Sequence, residues 1–398
     1  MKQMIKKDRI SEINSLLLVL VIFSMPLTLP IDISYNIDIS SIFVITILII
    51  SIINDGRIHK SLLLIIIGFI IIFITNYLIV DYRVLIRDTF LKFIRWGIIP
   101  MYIASKVENY KSVIKYWYIF GIINFFISQF TLQLSNIGQG VNYMNFGICM
   151  TYSYIIFLLY SYKVNKNKLF NIILLSISFV QITIYGNRGS LIFCILLLIY
   201  FETDLLLNMK LSRLDIIKKL LRITFSIILL YLFINELNNI LRALSNMLYK
   251  NNTISYSLNK IIMTLEQGKI FSSSISSGRD RIYMESFNIA KNNFYMPKGI
   301  GYYTSITQKN YPHNILLEIL ITFGICGLLC FIIGCVYLLI KFIKNYNLDD
   351  NYNYIIISMV IYSISRLMLS SSFWLESMFW MSIIMILYYP RNIRRKDF

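Results

Sequence analysis

Residues 312–320 read Pro-His-Asn-Ile-Leu-Leu-Glu-Ile-Leu, and apolar residues dominate from there to about residue 340. A polar segment ends at this point, and an apolar run long enough to cross a bilayer as a helix begins. His313 and Asn314 therefore lie where a loop meets a predicted membrane helix. The chain has two histidines, and the topology derived below places the other, His59, in a cytoplasmic turn. Imidazole chemistry on the outer side would fall to His313.

The composition around this stretch is that of a membrane protein. Hydrophobic residues make up 57% of the 398 residues, charged residues make up 15%, and the mean hydropathy is +0.66. This excludes a soluble globular domain, because too few polar side chains remain to cover its surface. The repeated apolar runs predict an all-α polytopic membrane protein. About twelve transmembrane helices fit, at about 13–30, 37–53, 61–80, 86–104, 113–134, 142–160, 169–185, 189–207, 217–236, 314–340, 354–370 and 373–389.

The distribution of basic residues predicts the orientation. The short loops 31–36, 135–141 and 371–372 contain no Lys or Arg. About 21 of the 38 Lys and Arg lie in the segments on the opposite side, which are the two tails and residues 54–60, 105–111, 161–168, 208–219 and 341–353. By the positive-inside rule, both termini are cytoplasmic.

This topology divides the chain into three parts. Residues 1–236 hold helices one to nine, residues 237–312 form one large extracytoplasmic loop with short helices, and residues 313–398 hold helices ten to twelve. The loop holds nine Lys and Arg against three Asp and Glu. Such a basic surface suits an anionic partner, and a solvated surface facing lipid headgroups is the alternative reading.

Within the loop, a predicted helix opens at Ser277-Gly278-Arg279-Asp280. Ser277 and Asp280 have the spacing of a capping box. The free N–H groups of a helix N-terminus, with the Arg279 guanidinium beside them, would suit a phosphate. An ordinary capped helix with an exposed Arg279 explains the same residues.

Charged residues near lipid are costly and need a partner or a purpose. Arg188 is the only basic residue of the predicted outward turn 186–190, whose sequence is Gly-Asn-Arg-Gly-Ser. Glycines there would let the backbone approach another group closely. Arg366 and Glu376 are predicted to form a structural ion pair near the outer end of helix eleven.

A second basic cluster lies in the outer half of the fourth predicted span. It contains Arg87, Lys92 and Arg95. Asp88 and Lys92 are four residues apart on one helix, so we expect them to pair with each other.

The five cysteines all fall within apolar runs. Cys326 and Cys330 are one helical turn apart, and we read them as packing residues because a zinc site needs more ligands. We therefore expect no metal at this cysteine pair. No cofactor is expected either.

Taken in order, these motifs resemble those of the O-antigen ligase and polymerase superfamily. They are Asn-Arg-Gly-Ser at 187–190, Ser-Gly-Arg-Asp at 277–280, Gly-Ile-Gly at 299–301, and Pro-His-Asn-Ile-Leu-Leu-Glu at 312–318 with Phe-Gly-Ile-Cys-Gly at 323–327. No single motif is specific, but their order and the one large loop are typical of this family. The first 130 residues match in hydropathy alone.

The resemblance implies a metal-independent glycosyltransferase in the bacterial cytoplasmic membrane, acting on its extracytoplasmic face. Its donor and acceptor would be polyprenyl-diphosphate-linked oligosaccharides in membrane lipid, and its protein partners a flippase and a chain-length regulator. No nucleic acid is expected. The functionally important family residues correspond to Arg188, Arg279 and His313. Secondary candidates for substrate binding are Arg281, Asn314, Glu318, Arg87 and Arg95.

These residues suggest a mechanism. Arg188 and Arg279 would stabilise the departing diphosphate, and His313 would accept the proton of the acceptor hydroxyl. Asn314 would orient the acceptor or close the helix end, and Glu318 would tune the site or pair with an arginine. A His313 that merely starts helix ten is the alternative.

Three functions remain open from the sequence. A polymerase transfers the growing chain onto the next lipid-linked repeat unit, whereas a ligase transfers it to a terminal acceptor. The composition resembles that of low-GC bacteria, many of which make capsules, and this favours polymerase. A lipid-linked glycan transporter would have polar groups at the bilayer midplane and two related halves, and this sequence has neither.

Overall fold

The computed structural model of the protein is built of helices throughout the part that it describes. That part comprises residues 2–35, 37–134, 143–164, 167–207, 279–292, 297–346 and 351–393, with a few short pieces between 239 and 263. The N-terminal helices are α1 (Lys2–Ile22), α2 (Ser24–Tyr35), α3 (Ile39–Asn54), α4 (Lys60–Ile79), α5 (Arg83–Phe93), α6 (Ile99–Ala104), α7 (Tyr110–Leu134), α8 (Tyr143–Leu159), α9 (Lys168–Tyr185) and α10 (Arg188–Leu207). The C-terminal helices are α11 (Arg279–Asn292), α12 (Tyr302–Thr307), α13 (Ile315–Lys344), α14 (Asn351–Leu369) and α15 (Ser377–Ile393).

Six of the described helices are long and apolar enough to cross a membrane: α4, α7, α8, α9, α13 and α14. The pair α1 and α2, bent by 44° at their junction, would make a seventh span. Helix α3 and residues 377–388 of α15 are apolar but shorter. The polytopic helical class is confirmed. The count of twelve and the orientation remain predictions, and the predicted ninth span, 217–236, lies outside the described residues.

The chain divides into two compact units, residues 1–127 with 278–398, and residues 128–277. The first unit has an aromatic core that includes Phe69, Phe73, Phe93, Trp374 and Trp380. Ring centroids of Phe73 and Trp374 are 4.8 Å apart, and those of Phe93 and Trp374 are 5.2 Å apart. Aromatic contacts of this kind fix ring orientation as well as burying area. The turn between α14 and α15 is thereby anchored by Trp374.

Helix α13 is broken at Gly324, whose φ of 68° and ψ of −169° are not helical. A break of this kind frees backbone carbonyls that need new donors. The Gly299 N–H donates to the Thr322 carbonyl over 3.0 Å, and the Lys298 N–H donates to the Ile321 carbonyl over 3.4 Å. Lys298 and the first glycine of the Gly-Ile-Gly segment at 299–301 therefore supply the donors at the break in α13.

In the second unit, α8 packs against both α9 and α10. Most of α8 is buried. The side-chain amides of Gln129 and Gln181 exchange two hydrogen bonds, of 2.9 and 2.6 Å. Lys163 follows the C-terminal end of α8, and its Nζ lies 2.7 Å from Oδ2 of Asp204 near the end of α10. Reciprocal polar contacts between apolar helices fix their register.

Candidate functional site

His313 immediately precedes α13 and adopts the left-handed conformation, with φ of 58°. Residues other than glycine seldom adopt this conformation. The next residue, Asn314, caps α13: its Oδ1 accepts from the N–H groups of Leu316 and Leu317 at 2.9 and 3.2 Å. Of the two roles considered for Asn314, the closing of the helix end is therefore observed, and the orienting of an acceptor stays a prediction. The cap fixes where α13 begins and thus where His313 lies.

Two tyrosines hold the backbone and ring of His313. The Tyr283 hydroxyl donates to the carbonyls of His313 and Met368, over 3.2 and 3.0 Å. The ring of Tyr311 contacts the imidazole edge to face, with centroids 4.5 Å apart. The Tyr311 hydroxyl in turn donates to the Ser370 carbonyl over 2.8 Å. Helix α11 and the end of α14 are therefore both tied to the histidine.

The imidazole is half-buried beside a positive charge. Burial lowers the pKa of His313, and the nearby Arg279 guanidinium lowers it further. A hydrogen bond to the Leu369 backbone acts in the opposite direction and raises it. Both effects disfavour the imidazolium. The Nδ1 atom is buried and has no hydrogen-bond partner among the described residues. The lowered pKa favours the neutral imidazole, which is the form that can accept a proton.

Arg279 is the first residue of α11 and is partly buried. Its charge acts on both His313 and Tyr311. The structure thus brings Arg279 and His313 together, although 33 residues separate them in the sequence. The predicted capping box at 277–280 lies largely outside the described residues, because Ser277, Gly278 and the Asp280 side chain are not described.

Glu318 lies one turn into α13 and is buried. Its Oε1 accepts from the Ser372 hydroxyl, and its Oε2 accepts from the Phe373 N–H over 3.3 Å. The arginine pairing considered for Glu318 is absent among the described residues. Arg366 instead binds Glu376, with Nε 3.0 Å from Oε2, which confirms the predicted ion pair.

Glu318 borders a cavity of about 170 Å³ beside the histidine segment. Tyr311 and Pro312, the two residues before His313, line it as well. Its other walls come from α5, from the Gly-Ile-Gly segment with α12, and from the turn after α14; they include Thr89, Lys92, Tyr303, Ser372 and Trp374.

The remaining secondary candidates lie elsewhere. Arg281 is exposed and borders a separate open groove on α11 and α12. Arg87 is exposed and lies 3.5 Å from Asp88. Arg95 binds the Asp38 carboxylate and the Ser41 hydroxyl at the start of α3. None of these three arginines lines the cavity.

The predicted Asp88–Lys92 pair is not formed. Asp88 faces its neighbour Arg87 instead, and Lys92 lines the cavity together with Thr89. Thr89 and Lys92 are three residues apart and so share one face of α5. Sequence reasoning explained Lys92 away because local spacing offered Asp88 as a partner.

Arg188 begins α10 in the second unit. The side-chain Oδ1 of Asn187 accepts from the Ser190 N–H at 2.7 Å and so caps that helix. A Cβ added to Gly147 would lie 2.9 Å from the Asn187 nitrogen, so α8 approaches this turn closely because Gly147 has no side chain. The structure does not describe the Arg188 side chain.

The structure adds residues that the sequence did not single out. Tyr303 and Ser372 line the cavity, and Tyr283 anchors His313. Each lies on a different element from the others, so no local spacing relates them. Only Tyr311 could have been suspected, since it stands two residues before His313.

Comparison with known families identifies one match. Residues 170–332 match the family model described as O-antigen ligase. This range contains Arg188, Arg279, His313 and Glu318 together. No match was found among curated proteins. The family match confirms the resemblance to the O-antigen ligase and polymerase superfamily that the motifs predict, in a multi-pass helical membrane protein.

Proposed function

We propose that the protein is a polysaccharide polymerase. It would transfer a polyprenyl-diphosphate-linked glycan onto the next lipid-linked repeat unit at the outer face of the bacterial cytoplasmic membrane. The observation that carries this proposal is the half-buried His313, whose pKa is lowered by burial and by Arg279, within a range that matches the O-antigen ligase family. A base and a fixed positive charge are the two groups that this transfer needs.

The transfer proceeds in one balanced step. The acceptor hydroxyl oxygen bonds to the anomeric carbon of the donor sugar, and its proton passes to the His313 imidazole. The bond from that carbon to the diphosphate oxygen breaks, and the electron pair leaves with the polyprenyl diphosphate. Arg279 stabilises this developing negative charge, because a guanidinium binds phosphate oxygens in a bidentate manner and stays protonated.

Arg188 enters the proposal from its motif and from the family match. It supplies a second guanidinium for the diphosphate, so that no divalent metal is required. A flippase that delivers the lipid-linked unit and a chain-length regulator are the proposed protein partners.

The first prediction concerns a deletion strain complemented with variants. His313→Ala, Arg279→Ala and Arg188→Ala protein should insert at normal levels and make no polymer, because each removes a group needed in the transition state. We expect single lipid-linked repeat units in place of the ladder when the glycans are separated by size. His59→Ala is the matched control, since this histidine stacks on Tyr388 with ring centroids 4.7 Å apart and should leave the ladder unchanged.

Each other pattern points to another function. Full-length ladders that stay on the lipid carrier would mean ligase. Loss of all lipid-linked glycan from the outer face would mean transport. A wild-type ladder in His313→Ala would remove this histidine from the mechanism.

A further inference from the structure

The cavity beside His313 is lined by residues of α5, α12, α13 and the turn after α14, together with the segment before His313. Its volume of about 170 Å³ equals that of roughly six water molecules at about 30 Å³ each. This is enough space for one sugar ring. Tyr311 and Pro312 line the cavity. Because His313 follows them directly in the chain, a group bound here lies close to the proposed base.

Glu318 gives the cavity unused hydrogen-bonding capacity. The residue is 8% exposed, and its two protein donors are the Ser372 hydroxyl and the Phe373 N–H. A carboxyl group offers acceptor positions beyond those two donors, and when protonated it can also donate. No cation lies within ion-pair distance of Glu318 among the described residues. A buried carboxylate in this position calls for further donors, and sugar hydroxyls would supply them.

Tyr303 provides a second and independent sign of a ligand. It lines the same cavity and is 5% exposed. Its hydroxyl is buried and has no hydrogen-bond partner in the part of the chain that the structure describes. Buried hydroxyls nearly always have one. The Tyr303 hydroxyl is enclosed in the sugar-free structure, so a bound sugar reaches it only by shifting the cavity wall. With the acceptor positions of Glu318, it then matches the donor and acceptor character of sugar hydroxyls.

Trp374 completes the arrangement. It lines the cavity and is held by Phe73 and Phe93. A rigid aromatic wall beside hydrogen-bonding groups suits a pyranose, which has apolar C–H faces and polar edges.

We propose that this cavity binds the terminal pyranose ring of the acceptor glycan, with Glu318 and Tyr303 as residues that determine its specificity. The identification of the bound ring as part of the acceptor rests on the proposed function. The bound ring presents its hydroxyl toward His313, and Glu318 and Tyr303 hold the other hydroxyls. Neither residue takes part in the chemical step.

The first experiment measures sugar binding without turnover. Saturation-transfer NMR on the full-length protein in detergent would use methyl glycosides of glucose, galactose, mannose and N-acetylglucosamine. We expect at least one to bind the wild type, and Tyr303→Phe and Glu318→Gln to weaken that binding at least tenfold. Tyr352→Phe is the matched control, since its buried hydroxyl donates to the Met385 carbonyl over 2.8 Å away from the cavity lining.

The second experiment is kinetic. With purified enzyme and lipid-linked substrates, Tyr303→Phe should raise the acceptor KM about tenfold and leave the donor KM unchanged. If Tyr303 had only a structural role, its replacement would not change the acceptor KM while leaving the donor KM unchanged. A raised acceptor KM supports the proposal whichever panel sugar binds, and an unchanged acceptor KM in both cavity variants overturns it.

The two proposals can fail separately. If His313→Ala leaves the polymer ladder intact while Tyr303→Phe loses sugar binding, the polymerase is wrong and the cavity is still a sugar site. If His313→Ala abolishes the ladder while neither cavity variant changes sugar binding or acceptor KM, the cavity proposal alone is wrong. Tyr303→Phe removes one buried oxygen without a partner, so we expect it to fold even where Glu318→Gln does not.

Discussion

His313 is held in a conformation that a histidine seldom adopts. A left-handed backbone costs a residue other than glycine about 1–2 kcal/mol. Its carbonyl is fixed by Tyr283 and its ring contacts Tyr311, and the following residue caps α13. Backbone strain that neighbouring contacts maintain is typical of functional residues. Here the same contacts hold the imidazole in one orientation.

The pH dependence of the reaction should report the contact between His313 and Arg279. Because the pKa of His313 lies below 6.5, the neutral base persists on acidification until the pH falls through that lowered value. Arg279→Gln removes the positive charge, so the pKa of His313 should rise and the acid limb of the rate profile should move to higher pH. Arg279→Lys keeps the charge and is the control.

The measurement is residual transfer by purified enzyme between pH 5 and pH 8, normalised to the plateau of each variant. Equal acid limbs in Arg279→Gln and Arg279→Lys would show that Arg279 does not act on the base electrostatically.

Replacing Tyr303 should increase the stability of the protein, whereas most substitutions of buried residues decrease it. A buried polar group without a partner costs about 1–3 kcal/mol, so Tyr303→Phe should stabilise the sugar-free protein by about 1 kcal/mol and raise its Tm in detergent. Tyr352→Phe should destabilise it, because that hydroxyl is hydrogen-bonded. A lower Tm for Tyr303→Phe would mean that its hydroxyl already has a structural role.

At the scale of elements, the Gly-Ile-Gly segment and Lys298 before it link helices α4 and α13. The N–H groups of Lys298 and Gly299 donate to carbonyls at the break in α13. The Ile300 N–H donates to Asn76 Oδ1 at 3.0 Å. Ile300 and Gly301 also line the cavity. The Tyr82 hydroxyl also donates to the Lys298 carbonyl. The segment therefore couples the end of α4 to the break in α13 and forms part of the cavity wall.

Gly299→Ala should be strongly destabilising. Gly299 has φ of +88°, and an added Cβ would lie 2.5 Å from Asn76 Oδ1. We expect the free energy of unfolding to fall by about 1–3 kcal/mol because the backbone would be strained. The Tm and the affinity for sugar should both decrease. Gly334→Ala is the matched control in α13, since nothing lies within 4 Å of its added Cβ. Equal behaviour of the two variants would contradict this role for Gly299.

At the scale of the whole molecule, the prediction is the orientation. With native cysteines replaced, Ser305→Cys in α12 should react with a membrane-impermeant maleimide in intact cells. Arg57→Cys, in the turn between α3 and α4, should react only after permeabilisation. Both positions are exposed in the structure. The reverse labelling pattern would overturn the topology drawn from the basic residues and move the His313 segment to the cytoplasmic side.

The sequence by itself determined the class of the molecule and the motif residues. Apolar runs of bilayer length are a property of composition and spacing, so the polytopic helical class follows without any tertiary information. His313 and Arg279 stood out because rare charged and titratable residues at the ends of apolar runs are conspicuous. Asn314 was also a candidate, and its local position before α13 leaves it the capping role.

The tertiary structure alone decided which of these residues share a site. Glu318 meets the turn after α14, Lys92 faces the cavity from α5, and Arg95 binds the start of α3. These contacts join residues that are distant in the chain, so local spacing carries no information about them. For the same reason Asp88 was paired with the wrong residue, and the buried Tyr303 hydroxyl could not be recognised until the packing around it was known.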